Sequence, residues 1–275
     1  MSNTVRDITL LEKKSVIYRR RILQCIKNAK KGHTAGSLSC VDILNVLYNR
    51  IMNISPDNFT DPYRDRYIQS KGHSVEALYV VLSDKGFFPD SELDTFSTYQ
   101  SHFVGHPTRK VPGIEHNTGA LGHGLSVSVG LALAAKLDNA PFKVYTLLGD
   151  GELAEGSNWE AMMAASHYKL DNMLAIIDYN KLQITGPVDT VCNIEPLRDK
   201  LEAFGWHVEE ADGHNLAEME RVFGSIPFKN GKPNLVIAHT IKGKGVSFME
   251  NNYVWHHKVP SDSEYSIALD ELKLS

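Results

Sequence analysis

Val144-Tyr145-Thr146-Leu147-Leu148 runs straight into Gly149-Asp150-Gly151, and Met173-Leu174-Ala175-Ile176-Ile177-Asp178 runs straight into Tyr179-Asn180. Each is a short, nearly continuous apolar run closed by small or polar residues, the pattern of a strand buried on both faces. Helical spacing over 157–168 separates them, and the chain goes on as helix 196–204, strand 206–210, helix 216–223 and strand 235–240. Strands alternating with helices call for an α/β fold, a parallel sheet flanked by helices on both faces. In such sheets ligands sit beyond the carboxyl ends of the strands. Gly149 and Gly151 let the backbone turn tightly there, while Asp150 and Asn180 each offer a hard oxygen at the same edge of the sheet.

Working outward, the spacing predicts helices over 11–31, 41–52, 74–85 and 125–137, with Gly32-His33-Thr34-Ala35-Gly36-Ser37 as a loop between the first two. Residues 99–124 are rich in His, Gly and Pro and too long and polar for an idle connector, so they are expected to form a functional loop. A short helical tail covers 263–274. No internal repeat and no Pro/Gly/Ser linker marks a second complete domain. At 275 residues, longer than the roughly 100–200 of a typical domain, the chain is expected to be one large domain over 1–275 with an N-terminal helical extension.

Composition narrows the function. The 29 Lys and Arg against 33 Asp and Glu give a net charge of −4, with neither sign concentrated for long, which argues against nucleic-acid binding. The one basic knot, Arg19-Arg20-Arg21, reads as a solvated helix face. Three cysteines without a C-x-x-C pair argue against a disulfide framework and a thiolate zinc site, and they suit a reducing compartment. No export signal or membrane span is visible, so a cytoplasmic location is expected.

The paired oxygens of Asp150 and Asn180 suit Mg²⁺, which takes a few protein oxygens and completes its octahedron with phosphate and water. The helix that starts near Ser157 adds a positive dipole end toward that anion. Taken alone, G-D-G is equally a tight turn with an Asx-type bond. Several of the 12 histidines sit in Gly-containing loops at His33, His73, His106 and His123, with His256-His257 near the C-terminus. Such imidazoles can donate to a phosphate or a substrate hydroxyl, or be ordinary surface or packing residues. His102-x-x-x-His106 is the best zinc alternative, without a third ligand nearby. Gly119-Ala120-Leu121-Gly122-His123-Gly124 is a weak dinucleotide fingerprint, because no strand clearly precedes it, but a plausible anion-facing or close-packing loop. Glu155 and Glu160 stand at a helix start, where acids complement the dipole without further purpose.

Together these segments resemble the N-terminal half of transketolase, the thiamine-diphosphate enzyme that moves two-carbon ketol units between sugars. The likeness rests on Gly32-His33 with 34–38, Ser70-Lys71-Gly72-His73, Gly105-His106-Pro107, 118–124, Gly149-Asp150-Gly151 with Glu155-Gly156, Asp178-Tyr179-Asn180 and Lys242-Gly243-Lys244-Gly245, all in the family's order. The 28 residues between Gly151 and Asn180 match the family's thiamine-diphosphate motif. The resemblance implies that Asp150 and Asn180 through side chains, and Leu182 through its carbonyl, bind Mg²⁺, for which Ca²⁺ or Mn²⁺ can substitute. It implies that His73, His256, Gly119, Leu121, Gly149 and Gly151 contact the cofactor, that His33, His106 and His256 face the sugar, and that Glu155 and Glu160 link active sites across a dimer.

Against the family pattern, Ala120 and His123 stand where many relatives have Pro and Gln, Thr108 follows His106-Pro107 where an acid is common, and His257 replaces a frequent Gly. These leave the metal site untouched and bear on donor or acceptor preference. The resemblance implies that the pyrimidine-binding and C-terminal domains of a full transketolase are to be expected on a partner chain. The expectation is therefore the N-terminal subunit of a split, two-chain enzyme acting on sugar phosphates, assembled as α₂β₂ with a C-terminal subunit. The alternatives are another thiamine-diphosphate α-subunit, of the 1-deoxyxylulose-phosphate synthase or 2-oxo-acid dehydrogenase kind, and a non-catalytic module that kept the fold.

Overall fold

The computed structural model describes residues 3–274. Five strands, β1 (Arg66–Gln69), β2 (Val144–Gly149), β3 (Met173–Tyr179), β4 (His207–Asp212) and β5 (Asn234–His239), form one sheet in the order β1-β2-β3-β5-β4. Every pairing is parallel, as the alternating pattern requires. β2 and β3 are central, and alternate residues point to opposite layers. Tyr145, Leu147, Leu174 and Ile176 join the core built with α1 (Asn3–Ala29), α2 (Thr34–Val46), α3 (Val75–Asp84) and α8 (Leu216–Gly224). Val144, Leu148, Ala175 and Ile177 join the second core, with α4 (Gly124–Leu137), α5 (Gly156–His167) and α7 (Leu197–Ala203). Burial on both sides is why these strands read as continuous apolar runs. The short α6 (Val188–Val191) lies between β3 and α7.

Three expectations need correction. Gly32 to Ser37 is not wholly a loop: α2 begins at Thr34, and all 13 of its residues are buried. A helix covered all round has no polar face, so Thr-Ala-Gly-Ser carries no periodicity to mark it. The helix expected over 41–52 is the continuation of α2, ending in one π turn over Leu47–Ile51. β1 escapes pattern reading because an edge strand of four residues, only two of them apolar, is too short for alternation to register.

The basic knot is not a solvated face either. Arg19 is buried and grips Asp42 with both Nη atoms, at 3.0 and 2.6 Å. Arg20 donates to the carbonyls of Leu269 and Leu272, holding the end of α9 (Asp262–Glu271) against α1. Arg21 pairs with Asp90 and Asp94. The three cations hold helices together. Among the described residues no helix is long and apolar enough to cross a membrane.

Candidate active site

The carboxyl ends of β2 and β3 lie side by side, with Gly149 in register with Asp178. Asp150 therefore projects from one strand end and Asn180 from the next. Asp150 is 2% exposed; its Oδ1 accepts the Gly151 N–H at 2.7 Å and its Oδ2 accepts the Lys181 N–H. Burial, and then the charge of Asp178, push its pKa up to about 7. Asn180 donates from Nδ2 to Asp178 at 3.2 Å and accepts the Leu182 N–H at Oδ1 at 3.1 Å, which fixes its amide. The Leu182 carbonyl accepts from Lys242 Nζ at 2.9 Å.

Beneath these ligand-type oxygens lies a buried ionic layer. Lys71 Nζ sits on Asp178 and also donates to the Gly36 carbonyl at 3.3 Å. Burial alone would lower the Lys71 pKa, but Asp178 raises it; burial would raise Asp178, and Lys71 lowers it. Asp178 further accepts from Ser39 Oγ at 2.7 Å and from Thr240 Oγ1. Glu152, also buried, accepts from the Gly149 and Gly122 N–H groups at 3.0 Å each and from Ser70 Oγ. It thus ties the G-D-G turn to the 119–124 loop. Gly122 must be glycine there, with φ +85° and a built Cβ only 2.6 Å from Glu155 Cβ and Ser157 Oγ.

Above the oxygens, histidines from four loops converge. The ring centroid of His33 lies 5.3 Å from His73, 5.8 Å from His106, 5.5 Å from His256 and 4.4 Å from His257. Burial first, then neighbouring histidines and lysines, push His33 down to about 3; for His256, burial and then Lys242 lower it to about 2. His73 and His106 are lowered mainly by burial. These imidazoles are neutral at physiological pH. Lys242, lowered to about 8 by burial and then by Lys71, is still mostly charged there and donates to His256 Nδ1 at 3.1 Å. That leaves the His256 proton on Nε2 as a donor.

His33, His256 and His257 bring ligand nitrogens within 4.8 Å of one another. A protonated Nε2 and a neighbouring ammonium disfavour a metal cage at this trio and leave it hydrogen-bonding groups that face the cleft. The zinc alternative does not assemble, because His102 lines a separate surface groove with Tyr99 and Gln100.

The cleft over the strand ends brings together His33, His73, His106 and His256; Gly119 and Leu121 of the long loop; and Gly149, Asp150, Gly151, Asn180 and Leu182. It leaves out Glu155 and Glu160, both exposed on α5 or at its start. His123 is also exposed, whereas His257 lies at the cleft's rim. Sequence reasoning quoted Lys71, Asp178 and Lys242 inside motifs without giving them a task, and passed over Glu152. Asp178 had a signal, a lone acid closing a buried apolar run. Glu152 had none beyond lying three residues after Gly149.

The donor set fits a metal-held diphosphate. Asp150 is a buried carboxylate whose hydrogen-bond donors are main-chain N–H groups, so its charge calls for a cation. Lys242 and neutral His73 offer donors to an anion in the same cleft. His33 Nδ1 is buried with no partner, as expected of a group that meets a substrate oxygen.

The family described as "Transketolase, thiamine diphosphate binding domain" matches residues 12–266. The chain is 51% identical over 266 residues to one of the subunits of the apulose-4-phosphate transketolase of Phocaeicola vulgatus, covering 97% of this chain and 95% of that protein. It is 41% identical over 264 residues to the 6-deoxy-6-sulfo-D-fructose transketolase subunit SqwG of a Clostridium species, covering 96% of each. Among solved structures, transketolase from Campylobacter jejuni superposes with a TM-score of 0.87 at 30% identity, over 99% of this chain and 43% of that one. The chain thus spans about two-fifths of that protein.

Proposed function

The chain belongs to the transketolase family through its thiamine diphosphate binding domain, and from that premise we propose that it is the N-terminal subunit of a two-chain enzyme that moves a two-carbon ketol unit from a ketose phosphate to an aldose phosphate. The observation that carries this reading is the meeting of Asp150, Asn180 and Leu182 in one cleft over two neighbouring strand ends, together with a cluster of neutral histidines.

Asp150, Asn180 and Leu182 would hold Mg²⁺, or Ca²⁺ or Mn²⁺ in its place, and through it the diphosphate; His73, Lys242 and the 119–121 loop would donate to the anion. Bound there, thiamine diphosphate supplies the nucleophilic carbon and the electron sink for C–C cleavage. The remaining tasks fall to this chain's side chains. Lys71 and Asp178 fix the floor of the site, so Asn180 is oriented before ligand arrives. His256 presents Nε2–H to a sugar oxygen, and neutral His33 and His106 each keep a ring lone pair that can accept a hydroxyl proton and then return it.

The reading extends to a C-terminal subunit carrying the pyrimidine-binding domain, an α₂β₂ assembly in the cytoplasm, and contact of exposed Glu155 and Glu160 with a neighbouring chain. Its support is the full-length match to relatives that are themselves named as single subunits of transketolases. Apulose 4-phosphate is the first donor to test, because the chain is 51% identical to a protein named for it. The test mixes this chain with its partner, Mg²⁺ and thiamine diphosphate, and compares apulose 4-phosphate, 6-deoxy-6-sulfo-D-fructose and a pentulose 5-phosphate as donors. Transfer from the first by the mixture, and negligible transfer by either chain alone, is the expected result; a full rate from this chain alone would refute the two-chain reading.

A further inference from the structure

Glu76 lies in the first turn of α3, is 1% exposed, and has no part in the account above. Its side chain crosses to the start of α2. There Oε1 accepts the His33 main-chain N–H at 2.9 Å and Oε2 accepts the Ser37 hydroxyl at 2.8 Å. His33, the residue before α2, makes no side-chain cap, and this carboxylate from another helix instead ties its main chain to a side chain in the first turn of α2. The approach is close enough that a Cβ on Gly32 would stand 2.7 Å from Oε1 and 2.7 Å from Ile26 Cγ1. The backbone entering His33 is thereby gripped between Glu76 and the core, and the His33 imidazole is left to project among His73, His106, His256 and His257.

We infer that Glu76 is the positioning residue for His33: its carboxyl group clamps the His33 main chain and the first turn of α2, and so aims the imidazole into the cleft. Burial lifts this acid to about 7, so its neutral form is readily populated and the task rests on two hydrogen bonds more than on charge. A glutamine can make both, accepting from His33 N–H through its oxygen and donating to Ser37 Oγ through its amide.

The inference rests on the ketol-transfer reading, and its tests separate the two. In the reconstituted two-subunit enzyme, Glu76→Ala lowers kcat/KM for the ketose by ~10–100-fold, the scale of a misplaced catalytic group, while thiamine diphosphate affinity changes by less than about twofold. Glu76→Gln restores most of the loss. His33→Ala costs a similar factor, and Glu76→Ala added to it costs nothing more, because the group being positioned is gone. Should Glu76→Ala fail to fold, Glu76→Asp, whose reach is one methylene shorter, replaces it in the cycle. A readout independent of turnover is the His33 imidazole NMR signal of the isolated chain, which shifts with Glu76→Ala and not with Glu76→Gln. Additive losses in the double variant, a wild-type kcat/KM for Glu76→Ala, or an unmoved His33 signal would each overturn the inference. Absence of transfer by the wild-type pair would instead remove the functional reading and leave the NMR test standing.

Discussion

Lys71 Nζ and Asp178 Oδ2 form an ion pair with side-chain exposures of 2% and 0%, directly under the residues that would hold the metal. The pair joins the loop after β1 to the end of β3, and Asp178 passes the constraint on to Asn180. Removing one partner leaves the other charge buried and unpaired, which costs about 3–5 kcal/mol. Lys71→Met and Asp178→Ala should each show that loss in urea denaturation. The double variant Lys71→Met/Asp178→Leu should recover much of the stability but none of the thermal shift that Mg²⁺ with thiamine diphosphate gives the wild type. A recovered shift would mean that the pair does not orient the site.

Asn180 is expected to matter for affinity more than for folding. Its amide links Asp178 to the Leu182 N–H, and the residue lines the cleft beside Asp150. Asn180→Ala should raise the Mg²⁺ and cofactor concentrations needed for half-activation by ~10–100-fold, the range seen when metal-site support is removed. Superimposable titration curves for variant and wild type would end its assignment as a ligand.

The parts of this site that were legible in the sequence are those where chemistry and punctuation coincide: glycines at strand ends, an Asp or Asn beside them, histidines in glycine loops. Asp150, His33, His73 and His106 are of this kind, and all reach one cleft. Supporting residues were legible only as letters within motifs, because what Lys71 or Lys242 does depends on partners 107 and 60 residues away. β1 and the first turn of α2 stayed hidden for a different reason. Both lie where tertiary burial, not local periodicity, fixes the conformation. Arg19 was misread on the same ground, since its partner Asp42 is on another helix.

The depressed His256 pKa gives a signed dependence on pH. Its folded value of about 2 lies below the ordinary 6.5, so between these values the unfolded chain holds the extra proton and stability is lost as pH falls below 6.5. Glu76 and Asp150, each raised to about 7, act in the opposite direction, so the wild-type curve alone would hide the effect. Comparison with His256→Gln isolates it. Going from pH 7 to pH 5, the variant should gain about 2 kcal/mol relative to wild type in urea denaturation, at roughly 1.4 kcal/mol per pH unit below 6.5. A stability difference that stays constant over that range would mean that the folded and unfolded chains protonate His256 alike.

Glu152 offers the sharpest separation of support from contact. It serves three donors, Gly149 N–H, Gly122 N–H and Ser70 Oγ–H, in a place where water does not reach it. Glu152→Ala leaves two buried N–H groups unpaired at ~1–3 kcal/mol each, so a loss of about 2–6 kcal/mol is expected. Glu152→Gln keeps one acceptor oxygen and turns an amide toward the donors it cannot accept from, so its loss should be smaller but clear. Because the same carboxylate fixes both the G-D-G turn and the 119–124 loop, Glu152→Gln should also weaken cofactor binding while the fold survives. Exposed Glu155, three residues on, serves as the control: in the isolated chain Glu155→Ala should leave both stability and cofactor binding unchanged. If Glu152→Gln loses stability with cofactor affinity intact, then the two loops hold their places without this bridge, and the cleft's shape comes from the sheet alone.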